Sequence, residues 1–194
     1  PVDDLLERAW AAYAQDDCPR AIRLAQQAVH LAPEDGPAWY CLACAQERSG
    51  EDGRARAAFR RAERAPVDPQ PAPCRIDEEE FRRLAEEVLA ALPAALQPAV
   101  AAVDLVVMDH CPPGLLLDDA VELLGLCDGP QHGDLAADWG APQVSPRLYL
   151  FRRAHEHACA DAQELREELR ITVIHELGHH LGFEEEELEA MGLG

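Results

Sequence analysis

The stretch HELGHHLGFEE, from His175 to Glu185, constrains this 194-residue chain more tightly than any other. It has the form H-E-x-x-H-x-x-G-x-x-E, which works only on a helix that stops at a glycine. Residues four apart on a helix stand one above the other, so His175 and His179 can aim imidazole nitrogens at one metal ion, with Glu176 beside them to hold a water. H-E-x-x-H alone arises by chance too readily to be trusted. Requiring Gly182 and an acid at position 185 makes coincidence rare. The spacing points to the core of a zinc peptidase.

The flanking residues agree. From about Asp161 the sequence DAQELREELRITVIHELGHHLG has no proline and no glycine before Gly178, and acids fill its first turns, where the helix dipole favours them. One helix ending near Gly182 is expected. At 100° per residue, Ile174, Leu177 and Leu181 gather on a packing side, while His175 and His179 fall on another.

Gly182 bears on the third ligand. A straight helix carries Glu186 two turns beyond His179, too far to share one small ion. A break at glycine, which tolerates left-handed backbone, lets the chain turn back so that Glu185 reaches the metal. Alternatively, Glu184 to Glu187 form only an acidic helix start, and water or Glu186 completes the site. Three protein ligands leave one position open, where zinc lowers the pKa of a bound water towards about 7 and polarises a carbonyl. Glu176 would take the water proton and later deliver it to the leaving amine. His180, four residues after Glu176, could orient that base.

From about Phe81 to Gly194 the chain resembles the small bacterial zincin-like metallopeptidases, minimal relatives of metzincins whose motif is HExxHxxGxx followed by Asp or His. The likeness extends beyond the motif: an opening helix FRRLAEEVLAALP, a strand VDLVVMDH with a Pro-rich turn, an LLGLCDG segment, a strand RLYLF, the motif helix and a short acidic tail helix. The resemblance implies an α+β domain, a small mixed sheet over the motif helix, with zinc on His175, His179 and Glu185 and Glu176 as base. This chain places Glu where the family has Asp or His; the longer side chain can still ligate. Metzincins also place a methionine turn beneath the zinc. Met191 lies six residues after Glu185, but EEEELEAM reads as helix, where such a Met is commonly core.

Residues 1–66 carry a different pattern. A shift of 34 residues aligns Leu5 with Trp39, Ala9 with Ala43, Ala21 with Ala55, Ala25 with Phe59 and Ala28 with Ala62, the period of tetratricopeptide repeats. Small alanines let paired helices approach, and the large residues fill the gap between pairs. An all-α module of two repeats over 1–66 is expected, a Pro-rich linker over 67–76, and the zincin-like domain over 77–194. Because two repeats fall short of the three or so usually needed, the helix starting near Asp77 is expected to cap the second.

The net charge of −20 is divided unevenly: residues 1–70 hold 9 Arg against 12 acids, and residues 71–194 hold 8 Arg against 25 acids. Nucleic acid and anionic membranes would be repelled and are poor partners. No stretch is apolar enough to cross a bilayer, and PVDDLLERAW lacks the features of a signal peptide. Seven cysteines without a framework suggest reduced thiols in the cytoplasm. Cys41 and Cys44 form C-x-x-C on a repeat helix and read as small buried residues. Cys74 reads as an incidental linker cysteine rather than an inhibitory thiolate on the zinc. His155 and His157, flanking Glu156 after RLYLF, read as surface polar residues more readily than as a second metal site.

Two functions compete. One is a cytoplasmic zinc metalloendopeptidase hydrolysing a protein or peptide substrate, which the repeats recruit along with any protein partner. The other is a non-catalytic adaptor with a structural zinc site, against which Glu176 argues, because a structural site needs no general base.

Overall fold

The computed structural model describes residues 1–94, 96–113, 122–129 and 145–190. The chain divides into two compact units, one of Pro1–Pro73 with His110–Leu123, the other of Cys74–Asp109 with Leu124–Gly194.

The first unit holds four helices, α1 (Val2–Ala14), α2 (Cys18–Leu31), α3 (Gly36–Arg48) and α4 (Asp52–Glu63), each packed on the next. Their starts are written locally: Asp17 accepts the amide of Arg20, Asp35 accepts that of Ala38, and Pro19 and Pro37 occupy first-turn positions where a missing N–H costs nothing. Ala9, Ala21, Ala25, Ala28, Ala43, Ala55 and Ala62 are all buried, so the helices meet through their smallest residues, as the spacing required. Leu42 and Phe59 fill the remaining core.

His110, Cys111 and Glu122 are tied to this unit by polar contacts. Glu122 accepts from the Tyr13 hydroxyl, from Arg48 Nη1 at 2.9 Å and from His110 Nδ1 at 3.0 Å. Arg48, its side chain only 4% exposed, also binds Asp16 and the carbonyl of Cys111. Burial alone would push the Glu122 carboxyl up, but His110, Tyr13 and Arg48 together outweigh it and hold the group below its ordinary value.

The second unit contains α5 (Glu78–Ala91), α6 (Gln97–Ala102), β1 (Asp104–Met108), β2 (Gly125–Asp128), β3 (Arg147–Phe151), α7 (Arg152–Ala158), α8 (Ala162–His180) and α9 (Glu185–Ala190). The sheet order is β1-β3-β2, with β3 parallel to β1 and antiparallel to β2. This is the small mixed sheet expected; β1 and β3 fall on the two segments read as strands, and β2 falls within LLGLCDG. Asp161 caps α8 by accepting the amides of Gln163 and Glu164. Leu165, Leu169, Val173, Ile174 and Leu177 line its buried side and join Leu148 and Leu150 of β3 in the core. Gly125 allows the helix to lie close on β2: a Cβ there would come within 2.8 Å of Thr172 Cγ2.

Two expectations change. The helix beginning after Asp77, expected as a cap on the second repeat, belongs to the second unit, where its buried residues Phe81, Leu84, Ala85, Val88 and Leu89 share the core of α8. An amphipathic helix goes where its apolar stripe finds partners, and α8 supplies them. His155 and Glu156 are not surface residues on an extended segment. Both are fully buried on α7, where Glu156 accepts from Arg75 Nη1 at 2.5 Å, Arg153 Nη1 at 2.8 Å, Arg152 Nη1 at 3.2 Å and the Ile76 amide at 3.2 Å. Cys74 and Ile76 pack against the same core, which fastens the end of the Pro-rich segment to this unit. No helix among the described residues is long and apolar enough to cross a membrane.

Candidate active site

The site forms at the C-terminal end of α8. Packing of Ile174 and Leu177 fixes the helix's rotation, and that rotation leaves His175 and His179 exposed on the other side with Glu176 half-buried between the faces. The two imidazole centroids lie 4.3 Å apart with planes at 87°, so one turn of helix brings both rings to one spot.

Gly182 ends the helix at φ +87°, a left-handed conformation that suits glycine. The Phe183 amide donates to the Gly178 carbonyl at 3.0 Å and the Gly182 amide to that of His179 at 2.9 Å, a Schellman closure. The turn has a second consequence. It delivers the Phe183 carbonyl to 3.1 Å from His179 Nδ1, so Nδ1–H donates there and Nε2 is the nitrogen that could serve a metal. The expected break at glycine is therefore present, and it orients a candidate ligand as well as redirecting the chain.

Glu176 is held by an edge strand. The backbone amide of Cys127 on β2 donates to Glu176 Oε2 at 2.9 Å. The Cys127 thiol beside it is pushed up to about 11 by burial and by the Glu176 and Asp128 charges, so it stays a thiol and leaves that position to the carboxylate. Nothing in the sequence could have singled out this amide, because every non-proline residue carries one. His180 is 7% exposed, buried on the flank of α8; the described hydrogen bond to Glu176 comes from Cys127.

After the turn, α9 folds back on α8. Leu188, 3% exposed, rests over Gly178, where a Cβ would lie 2.7 Å from both Leu188 methyls. The glycine inside HELGHH thus has a packing reason: only a residue without a side chain lets α9 close on the motif helix. Glu185 is the first residue of α9, but its side chain lies outside the described residues, as do Met191 and the methionine turn. Among the described residues no group of three potential ligands comes together. The donor set that is described, two exposed imidazoles on one face with one tautomer fixed, suits zinc.

Cys74 is half-buried and its thiol is raised by burial, which makes it a packing residue of the core and not a ready thiolate. Cys41 and Cys44 are buried on α3, and burial pushes Cys41 up to about 12.

No curated protein matches the chain. Residues 100–194, which contain the sheet, the motif helix and its glycine turn, match the family described as Zincin-like metallopeptidase, and this part of the chain is similar to zinc-dependent peptidases of that family.

Proposed function

We propose that the protein is a zinc-dependent endopeptidase in which His175 and His179 hold the metal, Glu185 completes its protein ligands and Glu176 moves the protons. The observation that carries this reading is the pair of exposed imidazoles 4.3 Å apart beside a carboxylate anchored through one oxygen. A zinc ion held there supplies a Lewis acid for the scissile carbonyl and acidifies a water. With Oε2 fixed by the Cys127 amide, Oε1 of Glu176 is the atom that takes the proton from the attacking water. The same atom then returns it to the departing amine nitrogen, which breaks the C–N bond without stranding charge. The helical hairpins, read as tetratricopeptide-like repeats, recruit the protein substrate. His180 acts on Glu176 from the buried flank of the helix.

Metal analysis of the purified chain tests the assignment. About one zinc ion per chain is expected, lost in His175→Ala and in His179→Ala and retained in Glu176→Gln. Equal loss in all three would sink the division of roles. Glu185→Ala should weaken zinc binding strongly while Glu184→Ala, Glu186→Ala and Glu187→Ala do little; the reverse pattern for Glu185 and Glu186 would move the ligand by one residue.

A further inference from the structure

This chain carries 37 acids and 17 arginines, so most arginines find a carboxylate. Arg8, Arg48, Arg75, Arg82, Arg83, Arg152, Arg153, Arg166 and Arg170 all do. Among the described residues Arg20, Arg23 and Arg147 have no carboxylate ion pair either, but only α4 and its C-terminal end gather several such arginines together. Arg54 pairs with Glu51, but Arg56, Arg60, Arg61 and Arg64, all exposed, have no carboxylate partner among the described residues. Their spacing sets Arg56, Arg60 and Arg64 in one row along the helix. Four like charges on two and a half turns repel one another, and a chain so rich in acids had ample means to neutralise them.

Three of them, Arg60, Arg61 and Arg64, line a groove of about 430 Å³ whose remaining walls are apolar: Pro33, Trp39, Ala57, Ala65 and Pro66. The groove is built, not incidental. The Trp39 indole donates to the Pro33 carbonyl at 2.9 Å, and the Arg61 guanidinium lies over its ring at 5.0 Å. The chain leaving α4 runs back along the start of α3, with Gly36 N–H to the Val67 carbonyl at 2.8 Å and Val67 N–H to the Glu34 carbonyl at 3.0 Å. Gly36 admits nothing larger there, since a Cβ would lie 2.0 Å from the Asp68 carbonyl oxygen. The walls are therefore fixed before any ligand arrives, which lowers the entropy cost of binding. Val67, at the end of the wall, is 51% exposed.

We propose that this groove binds an acidic peptide segment of a partner protein, with carboxylates on Arg60 and Arg64 and one apolar side chain against Trp39. The bidentate guanidinium fits carboxylates, and the aromatic floor gives the apolar residue a place. Nucleic acid is disfavoured because beyond a Debye length of about 8 Å the rest of this chain presents excess negative charge to any extended polyanion. A short acidic segment meets only the local field. The inference deepens the recruitment reading by naming its site and ligand class, yet binding at the groove needs no zinc.

The test uses the full chain and a short labelled Glu-rich peptide carrying one leucine, followed by fluorescence anisotropy. Binding should weaken as salt rises, fall at least about tenfold in Arg60→Gln and in Arg64→Gln, and be unchanged in Arg20→Gln on α2. Those side chains are exposed, and an unchanged helical circular-dichroism signal shows that the fold is intact. The Gln-for-Glu peptide should not bind. Wild-type affinity in the two groove variants, equal binding of the Gln peptide, full competition by inorganic phosphate, or self-association through this face in place of peptide binding would each overturn the proposal. Loss of peptide binding in the variants with unchanged cleavage of a protein substrate would instead remove recruitment and leave the groove standing.

Discussion

The second unit presents the same two residue types twice, and only one copy is suited to chemistry. On α7, His155 and Glu156 are fully buried; on α8, His175 is exposed and Glu176 is half-exposed. Glu156 is surrounded by three guanidinium groups and an amide, so each of its oxygens is committed to holding α7 and the segment at Arg75 and Ile76. Glu176 accepts one described bond, from an edge-strand amide to Oε2. The imidazoles divide likewise. His155 gives Nδ1 to the Phe151 carbonyl and its Nε2 is buried without a partner, while His179 gives Nδ1 to a turn carbonyl and has its ring exposed. Burial with both Glu156 oxygens paired makes the first His-Glu pair a structural joint, even with one His155 nitrogen unbonded. Exposure of His175 and His179 makes the second set the candidate site.

The largest expected difference between the two sites lies in activity. Glu176→Gln should lower peptide hydrolysis by about 10²–10⁴-fold, the range for removing a general acid–base, with little change in unfolding free energy. Full activity in this variant, measured at saturating zinc, would break the comparison on its reactive side. Glu156→Gln should do the opposite and cost about 3–5 kcal/mol of stability, because it removes the buried carboxylate that Arg75, Arg152 and Arg153 share. Urea unfolding measures it; a loss under about 1 kcal/mol would mean that water replaces the lost charge.

Acid sharpens the contrast further. Burial pushes His155 down from 6.5 to about 4, partly opposed by its bond to the Phe151 carbonyl. As pH falls, the unfolded imidazole takes a proton first. The stability that His155 contributes is therefore complete above 6.5 and lost as pH falls from there to about 4, amounting to about 3 kcal/mol by the linkage relation. The measurement is urea unfolding across that window in the presence of a chelator, with His155→Leu as comparison. Parallel curves for the two proteins would show that the buried ring contributes nothing to acid sensitivity.

The smallest effect concerns Gly178, which ties the reactive site to its own packing. Gly178→Ala sets a methyl against Leu188 and should cost about 1–3 kcal/mol, with looser zinc retention as α9 lifts. Adding Leu188→Ala should recover part of the metal affinity. No recovery would show that α9 does not support the site.

The sequence by itself determined most helix starts and the candidate site residues, because both are local. Helix starts at Asp17, Asp35, Asp77 and Asp161 are written in the side chains that cap them. The spacing of His175, Glu176 and His179 is a property of one helix, and a glycine at 182 announces the break. Tertiary structure decided what those residues meet. Residues distant in sequence supply the Cys127 amide on Glu176 and the arginines on Glu156, and a backbone amide bears no signature in the residue that owns it. The same is true of α5 and of residues 110–123. The apolar stripe of α5 and the Glu122 carboxylate could each suit more than one neighbour, and the partners they meet are distant in sequence.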